Sequence, residues 1–201
     1  MYINESGLQD MDPKDIADIL KKDCKPILTW MKRHNYTKFL QRYNRQRHGT
    51  RFDLLAPHKD REPRDMPMWV QKMLDDAFER KFGVRPRSSG VFCDLFTLIG
   101  SGLPANDSYF ILFPVEKYRG IWAENIDDLY LKWISDIRDK YDNKELRSET
   151  EKWCAWVSNQ YTDEDLAGVK FRQEIMLICD KYYIVNSTII EAVLVELKKK
   201  K

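Results

Sequence analysis

The stretch 65–83 constrains this chain more than any other. Asp65-Met66-Pro67 offers a helix start, Val70, Met73, Leu74, Ala77 and Phe78 recur at three- and four-residue spacing, and Gly83 supplies a stop. A helix of this kind is apolar along one face and has to bury that face against other elements. Two short runs downstream can provide them. Residues 89–98 (SGVFCDLFTL) and 109–113 (YFILF) read as strands, separated by the loop-forming GSGLPANDS and closed by Pro114. Helical period beside strand-like runs predicts an α+β fold.

The remaining elements extend that pattern. Asp12-Pro13 starts a helix whose apolar residues, Ile16, Ile19, Leu20, Ile27, Leu28 and Met31, keep helical spacing, with Pro26 expected to kink or split it. Residues 36–43 suit a short strand followed by a long basic loop. Asn125 can cap a helix carrying Leu129, Tyr130, Trp133, Ile134 and Ile137, and a further helix over 149–161 would bury Trp153, Trp156 and Val157. Residues 174–185 (EIMLICDKYYIV) read as a strand, Asn186-Ser187 as a turn, and 188–197 as a returning strand, with a closing helix as the alternative. We expect one α+β domain over 1–201, with a helical N-terminal segment (1–35), a core (36–197) and a basic tail (198–201).

Apolar residues make up 43% of the chain and aromatic ones 12%, enough buriable surface to exclude a disordered protein. Lys and Arg number 34 against 32 Asp and Glu, so the molecule as a whole carries no strong field for a polyanion or a membrane. A local one exists over 32–64, where Lys32, Arg33, Lys38, Arg42, Arg45, Arg47, Arg51, Lys59, Arg61 and Arg64 alternate with Tyr36, Phe39, Tyr43 and Phe52. It fits a solvated basic loop or a site for a phosphate-bearing ligand.

The four cysteines, Cys24, Cys93, Cys154 and Cys179, form no CxxC pair and sit among apolar neighbours, which reads as reduced, buried thiols and not as a zinc cluster. His34, His48 and His58 match no metal-binding spacing, so no metal site is expected. The opening MYINESGLQDMD lacks the pattern of a signal peptide, and no apolar run is long enough to span a bilayer. The expected location is the cytoplasm. Phosphate-loop, GxGxxG, HExxH and GxSxG motifs do not occur, which disfavours the enzyme classes built on them.

Three features remain to be taken together: Arg42 in KFLQRYN, the pair Ser88 and Ser89 in PRSSGVF, and Glu174 in RQEIML. Their order, with the flanking PRDMP, KFG, YFILFP, YRGIWAENIDDLY and EIMLICDKYYIVN, resembles the arginine–serine–glutamate class of ADP-ribosyltransferases, phage-encoded members in particular, over residues 36–186. That resemblance implies a pair of small β-sheets forming a cleft that holds NAD, with helical segments packed against one side. Glu174 would be the catalytic carboxylate, stabilising the oxocarbenium-like cation formed when the nicotinamide–ribose bond breaks. Ser88 or Ser89 would hold the ribose or orient that Glu. Arg42 would pair with a phosphate or ribose oxygen through its planar fork, and Arg87 would be a second phosphate partner. Arg172 occupies the position two residues before Glu174, where the class usually carries Glu or Gln, and this leaves the acceptor's residue type open. Tyr118-Arg119-Gly120 repeats the aromatic-Arg-Gly triplet of the class but falls late in the chain.

Three readings therefore stand. The first is an NAD-dependent ADP-ribosyltransferase, a viral effector modifying a host or viral macromolecule, in the host cytoplasm or in the virion. The second is a catalytically inactive, virion-associated structural or interaction protein of the same fold, partnered by other virion proteins. The third is a nucleic-acid-binding module using 32–64. None of them places the chain in a membrane.

Overall fold

The computed structural model describes residues 11–44, 47, 49–97, 108–126, 128–170 and 173–199. Residues 100–107 of the expected GSGLPANDS loop, together with Arg45, His48 and Arg172, lie outside the described residues. The protein is α+β, and its paired strands are antiparallel. Two compact units interleave along the sequence: Met1–Ala56, Cys93–Tyr118 and Cys179–Lys201 form the first, Pro57–Phe92 and Arg119–Ile178 the second. No helix among the described residues is long and apolar enough to cross a membrane.

In the first unit, α1 (Pro13–Asp23) begins where the side chain of Asp12 accepts from the backbone N–H groups of Lys14 and Asp15. Pro26 lacks an N–H to continue that helix, so the chain breaks at Cys24 and restarts as α2 (Lys25–Arg33). Asn35 and Tyr36 take left-handed φ angles of 52° and 55°, reversing the chain into β1 (Lys38–Tyr43). β1 lies between β3 (Val91–Thr97) and β4 (Tyr109–Pro114), with Leu40 opposite Leu95 and Arg42 opposite Phe110. β4 pairs in turn with β8 (Tyr182–Asn186), and β8 with β2 (Phe52–Leu55).

β2 falls inside the segment expected to be a long basic loop. Phe52 is fully buried opposite Val185, which contributes about 1.5–3 kcal/mol toward holding this part of a charged segment in the sheet. The run 174–185 is likewise two strands, not one, because the polar Asp180-Lys181 interrupts it between β7 (Glu174–Ile178) and β8. The expected returning strand is a helix, α7 (Ile190–Lys198), as its alternative reading allowed. Ile190, Val193, Leu194 and Leu197 recur at helical spacing and are buried, as are Ile16 and Leu20 of α1, the helix on which α7 packs.

The second unit is built around α3 (Met68–Phe82). Pro67 sits at its N-cap and no side chain caps it, so Asp65 does not play the expected part. Gly83 ends the helix as expected, left-handed at φ 71°, its N–H bonded to the Glu79 carbonyl. A four-residue helix, α4 (Pro86–Ser89), leads into β3. β5 (Arg119–Ala123) pairs with β7 and with β6 (Tyr161–Thr162). α5 (Leu129–Trp133) is capped by Asp128, not by Asn125, and passes into a π-helical turn, Ile134–Arg138. α6 (Leu146–Asn159) packs on α3.

Val70, Leu74 and Phe78 from α3 meet Trp133, Trp153 and Val157 with Ile121 and Met176 in one buried core. Lys81 fixes the end of α6 by donating to the carbonyls of Ser158, Asn159 and Tyr161. Trp156 is the exception to the expected burial. It is 48% exposed, at the edge of the buried face of α6 that carries Trp153 and Val157, where Lys132 approaches its ring.

Candidate functional site

The polar residues of α3 organise the site. Gln71 and Asp75 lie one turn apart on its buried side, among Val70, Leu74 and Phe78. Asp75 Oδ1 accepts the Arg87 backbone N–H at 2.9 Å, which satisfies a donor at the start of α4 that the short helix leaves open. Burial pushes the Asp75 carboxyl up from its ordinary value, while hydrogen bonds from the Ser88 side chain and from the Arg87 and Ser88 backbone work in the other direction. Gln71 Nε2 donates to the Arg61 carbonyl at 2.6 Å, and the Arg61 N–H donates to the Ser88 carbonyl at 3.0 Å. One helix face therefore holds both α4 and the backbone of Arg61.

The exit from α4 is equally restricted. A Cβ at Gly90 would fall 2.5 Å from the Pro86 carbonyl oxygen and 3.2 Å from Ile178 Cδ1, so no larger residue fits between the helix and the strand that follows it. Within the same short helix, the Arg87 side chain is only 9% exposed.

Arg87 points toward Glu174, the first residue of β7. Its Nη1 lies 3.9 Å from Glu174 Oε1, an ion-pair distance beyond hydrogen-bonding range. Arg87 Nε and Glu174 Oε1 are both shut off from solvent and have no hydrogen-bond partner among the described residues. Glu174 as a whole still reaches solvent over 29% of its side chain. Burial raises its carboxyl above the ordinary range; the Arg87 and Arg61 charges oppose that shift and Asp128 adds to it. The guanidinium carbons of Arg61 and Arg87 lie 4.1 and 5.1 Å from the centroid of the Phe92 ring. A buried cation and a carboxylate, neither fully hydrogen-bonded, form a group poised for an added partner.

Of the residues expected at a site, Arg87, Ser88, Ser89 and Glu174 belong to this second unit, and Arg87 and Glu174 are brought within ion-pairing distance. Ser88 and Ser89 lie in α4 and not at the head of a strand, which begins at Val91. The Ser89 hydroxyl donates to the Arg85 carbonyl at 2.6 Å, and Ser88 serves Asp75. Arg42 belongs to the first unit, half-buried on β1, where it lines a small pocket with Arg47, Phe110 and Tyr182.

Gln173, one residue before Glu174, is buried and structural: its Oε1 accepts the Lys170 N–H at 2.9 Å and its Nε2 donates to the Ala123 carbonyl. Arg119 of the late triplet donates to the Phe82 carbonyl and pairs with Asp163. Cys24, Cys154 and Cys179 are thiols that burial pushes up to about 12, which keeps them protonated and unreactive near neutral pH.

Asp75, Gln71 and Phe92 were not named by sequence reasoning, and Arg61 was named only as one of the ten cations of the 32–64 stretch. Asp75 and Gln71 carried a signal, since two polar residues four apart sit inside an apolar helical stripe. Arg61 and Phe92 carried none that separates them from their neighbours. No protein-family model, characterised protein or solved structure matches this chain.

Proposed function

We propose that this chain is an NAD-dependent ADP-ribosyltransferase, an effector of viral origin that modifies a host or viral macromolecule. The observation that carries the reading is the Arg87–Glu174 pair, in which a half-buried carboxylate at the start of β7 has an oxygen with no hydrogen bond beside a buried guanidinium. The proposal includes the family's architecture, a pair of small sheets enclosing a cleft for NAD. In this scheme the C1′–nicotinamide bond breaks, nicotinamide leaves with the bonding electron pair, and the acceptor's nucleophile attacks the cationic ribose carbon. Glu174 in its ionised form stabilises that cation and accepts a hydrogen bond from a ribose hydroxyl, while Arg87 holds an anionic oxygen of the dinucleotide.

The raised carboxyl value gives the pH dependence its sign. Glu174 stabilises a cation only when ionised, so turnover rises with pH through a range above that of an ordinary carboxylate. The decisive experiment incubates the protein with nicotinamide-labelled NAD and cell lysate and measures nicotinamide release. We expect Glu174→Gln to lower it at least about 100-fold; a folded wild type that releases none refutes the reading.

A catalytically inactive interaction protein, virion-associated and of the same fold, is the second reading. It is favoured by the serines of α4, whose hydroxyls serve the Arg85 carbonyl and Asp75 of α3.

A further inference from the structure

The first unit carries a cleft that the transferase reading leaves unused. It measures about 860 Å³, a size that small-molecule ligands fill, and opens where the junction of α1 and α2 meets the segment after β4 and the turn before β8. Four lysines line it from four places in the fold: Lys22 at the end of α1, Lys25 at the start of α2, Lys117 after β4 and Lys181 before β8. All four are exposed. The backbone fixes the walls that carry them. The Glu116 N–H donates to the Asp23 carbonyl at 2.9 Å and the Val115 N–H to the Lys181 carbonyl at 2.9 Å, while the Tyr183 hydroxyl donates to Asp23 Oδ2 at 2.9 Å. Glu116 takes a left-handed φ of 55°, unfavourable for a residue with a side chain, within this wall.

The lysines of the cleft differ from others in the chain. Lys21, beside Lys22 in sequence, donates to the Glu196 carbonyl at 2.8 Å, and Lys170 pairs with Glu124 at 3.0 Å. None of the four ammonium groups at the cleft has a hydrogen bond or an ion pair among the described residues. Asp23, Glu116 and Asp180 line the same cleft, yet none of their carboxylates closes on a lysine, and Asp23 is already engaged by Tyr183. The cations are held apart on a fixed frame, with their charge left for an incoming group.

We propose that this cleft binds a small ligand carrying several phosphate groups. Three carboxylates offset much of the charge of four lysines, so the ligand has to bring dense negative charge at more than one point. A phosphate monoester carries up to two charges where a carboxylate carries one, which favours phosphates. Lysine acts as a compact point charge on a flexible stem, so the four can gather around phosphates in different spacings. The inference does not rest on the transferase reading, since the cleft shares no residue with the Arg87–Glu174 pair.

The test is calorimetric titration of the full chain with inorganic tripolyphosphate and, separately, with citrate, at fixed ionic strength. Tripolyphosphate is expected to bind about fivefold or more tightly than citrate. Lys25→Gln and Lys181→Gln are each expected to weaken it about threefold to tenfold, and the double variant further. Both side chains are exposed and the Lys181 carbonyl keeps its bond, so these variants leave the frame in place. Lys14→Gln removes the same charge from the exposed start of α1 and should stay within about twofold of the wild type. Glu116→Gln removes a competing carboxylate and should tighten binding about twofold or more. Absence of tripolyphosphate binding to the folded wild type, undiminished binding in the Lys25→Gln, Lys181→Gln double variant, an equal loss in Lys14→Gln, or a preference for citrate overturns the site.

Discussion

Two carboxylates of the second unit, Asp136 and Glu174, sit beside cations in opposite states. Asp136 Oδ2 accepts from Lys132 at 2.8 Å and from the Trp153 indole at 3.0 Å. Burial works against its charge, yet those two bonds and the Lys132 and Lys140 charges hold its carboxyl below the ordinary value. Glu174 has Arg87 at 3.9 Å, an oxygen with no hydrogen bond, and a carboxyl raised above the ordinary value. Asp136 is an ion pair completed within the fold, joining a π-helical turn to α6. Glu174 is incomplete, and groups that a fold leaves incomplete are candidates for ligand contact.

The contrast is sharpest in activity. Asp136→Asn should leave nicotinamide release within about twofold, against the loss of two orders of magnitude expected for Glu174→Gln; equal losses would mean that the assay reads folding. Next comes Asp75, the buried carboxylate that positions α4. Asp75→Ala leaves the Arg87 N–H without its acceptor, and we expect a loss of about 1–3 kcal/mol in chemical denaturation. No loss would show that α4 holds its place without that bond. Lys132→Met is the mildest, because the pair it breaks is partly solvated and Trp153 still donates to Asp136. A loss of about 0.5–1 kcal/mol is expected, and a larger one would make Asp136 more buried in effect than its geometry implies.

Much of the fold could be read from the chain, and the reasons differ by element. The helix ending at Gly83 and strands β1, β3 and β4 have local patterns strong enough to stand alone. β2 has none, since Phe52–Leu55 pairs with β8 more than 120 positions away and lies in a charged segment. α7 was ambiguous because Ile190, Val193 and Leu194 suit a strand by composition and a helix by spacing; packing on α1 decides it. At the site, Glu174 was named from its order after Arg42 and the serine pair, and Arg87 as a second phosphate partner implied by the same resemblance. The backbone of Arg87 is held by Asp75, a role that arises only once α4 is folded against α3. Trp156 shows the reverse case, an aromatic whose type suggested core but whose helical position lies at the edge of the buried face.

Thermal unfolding of Asp136→Asn and Glu174→Gln beside the wild type, across pH, tests the central claim most directly. Asp136 contributes stability above its ordinary value that fades as pH falls, so Asp136→Asn should be increasingly destabilised as pH rises. The contribution of Glu174 runs the other way: with its folded value raised, it is present at acid pH and lost as pH rises through that value. Glu174→Gln should therefore match the wild type at acid pH and exceed it near neutrality. A Glu174→Gln protein that loses stability toward neutral pH, as Asp136→Asn does, would make Glu174 a structural ion pair and contradict the account.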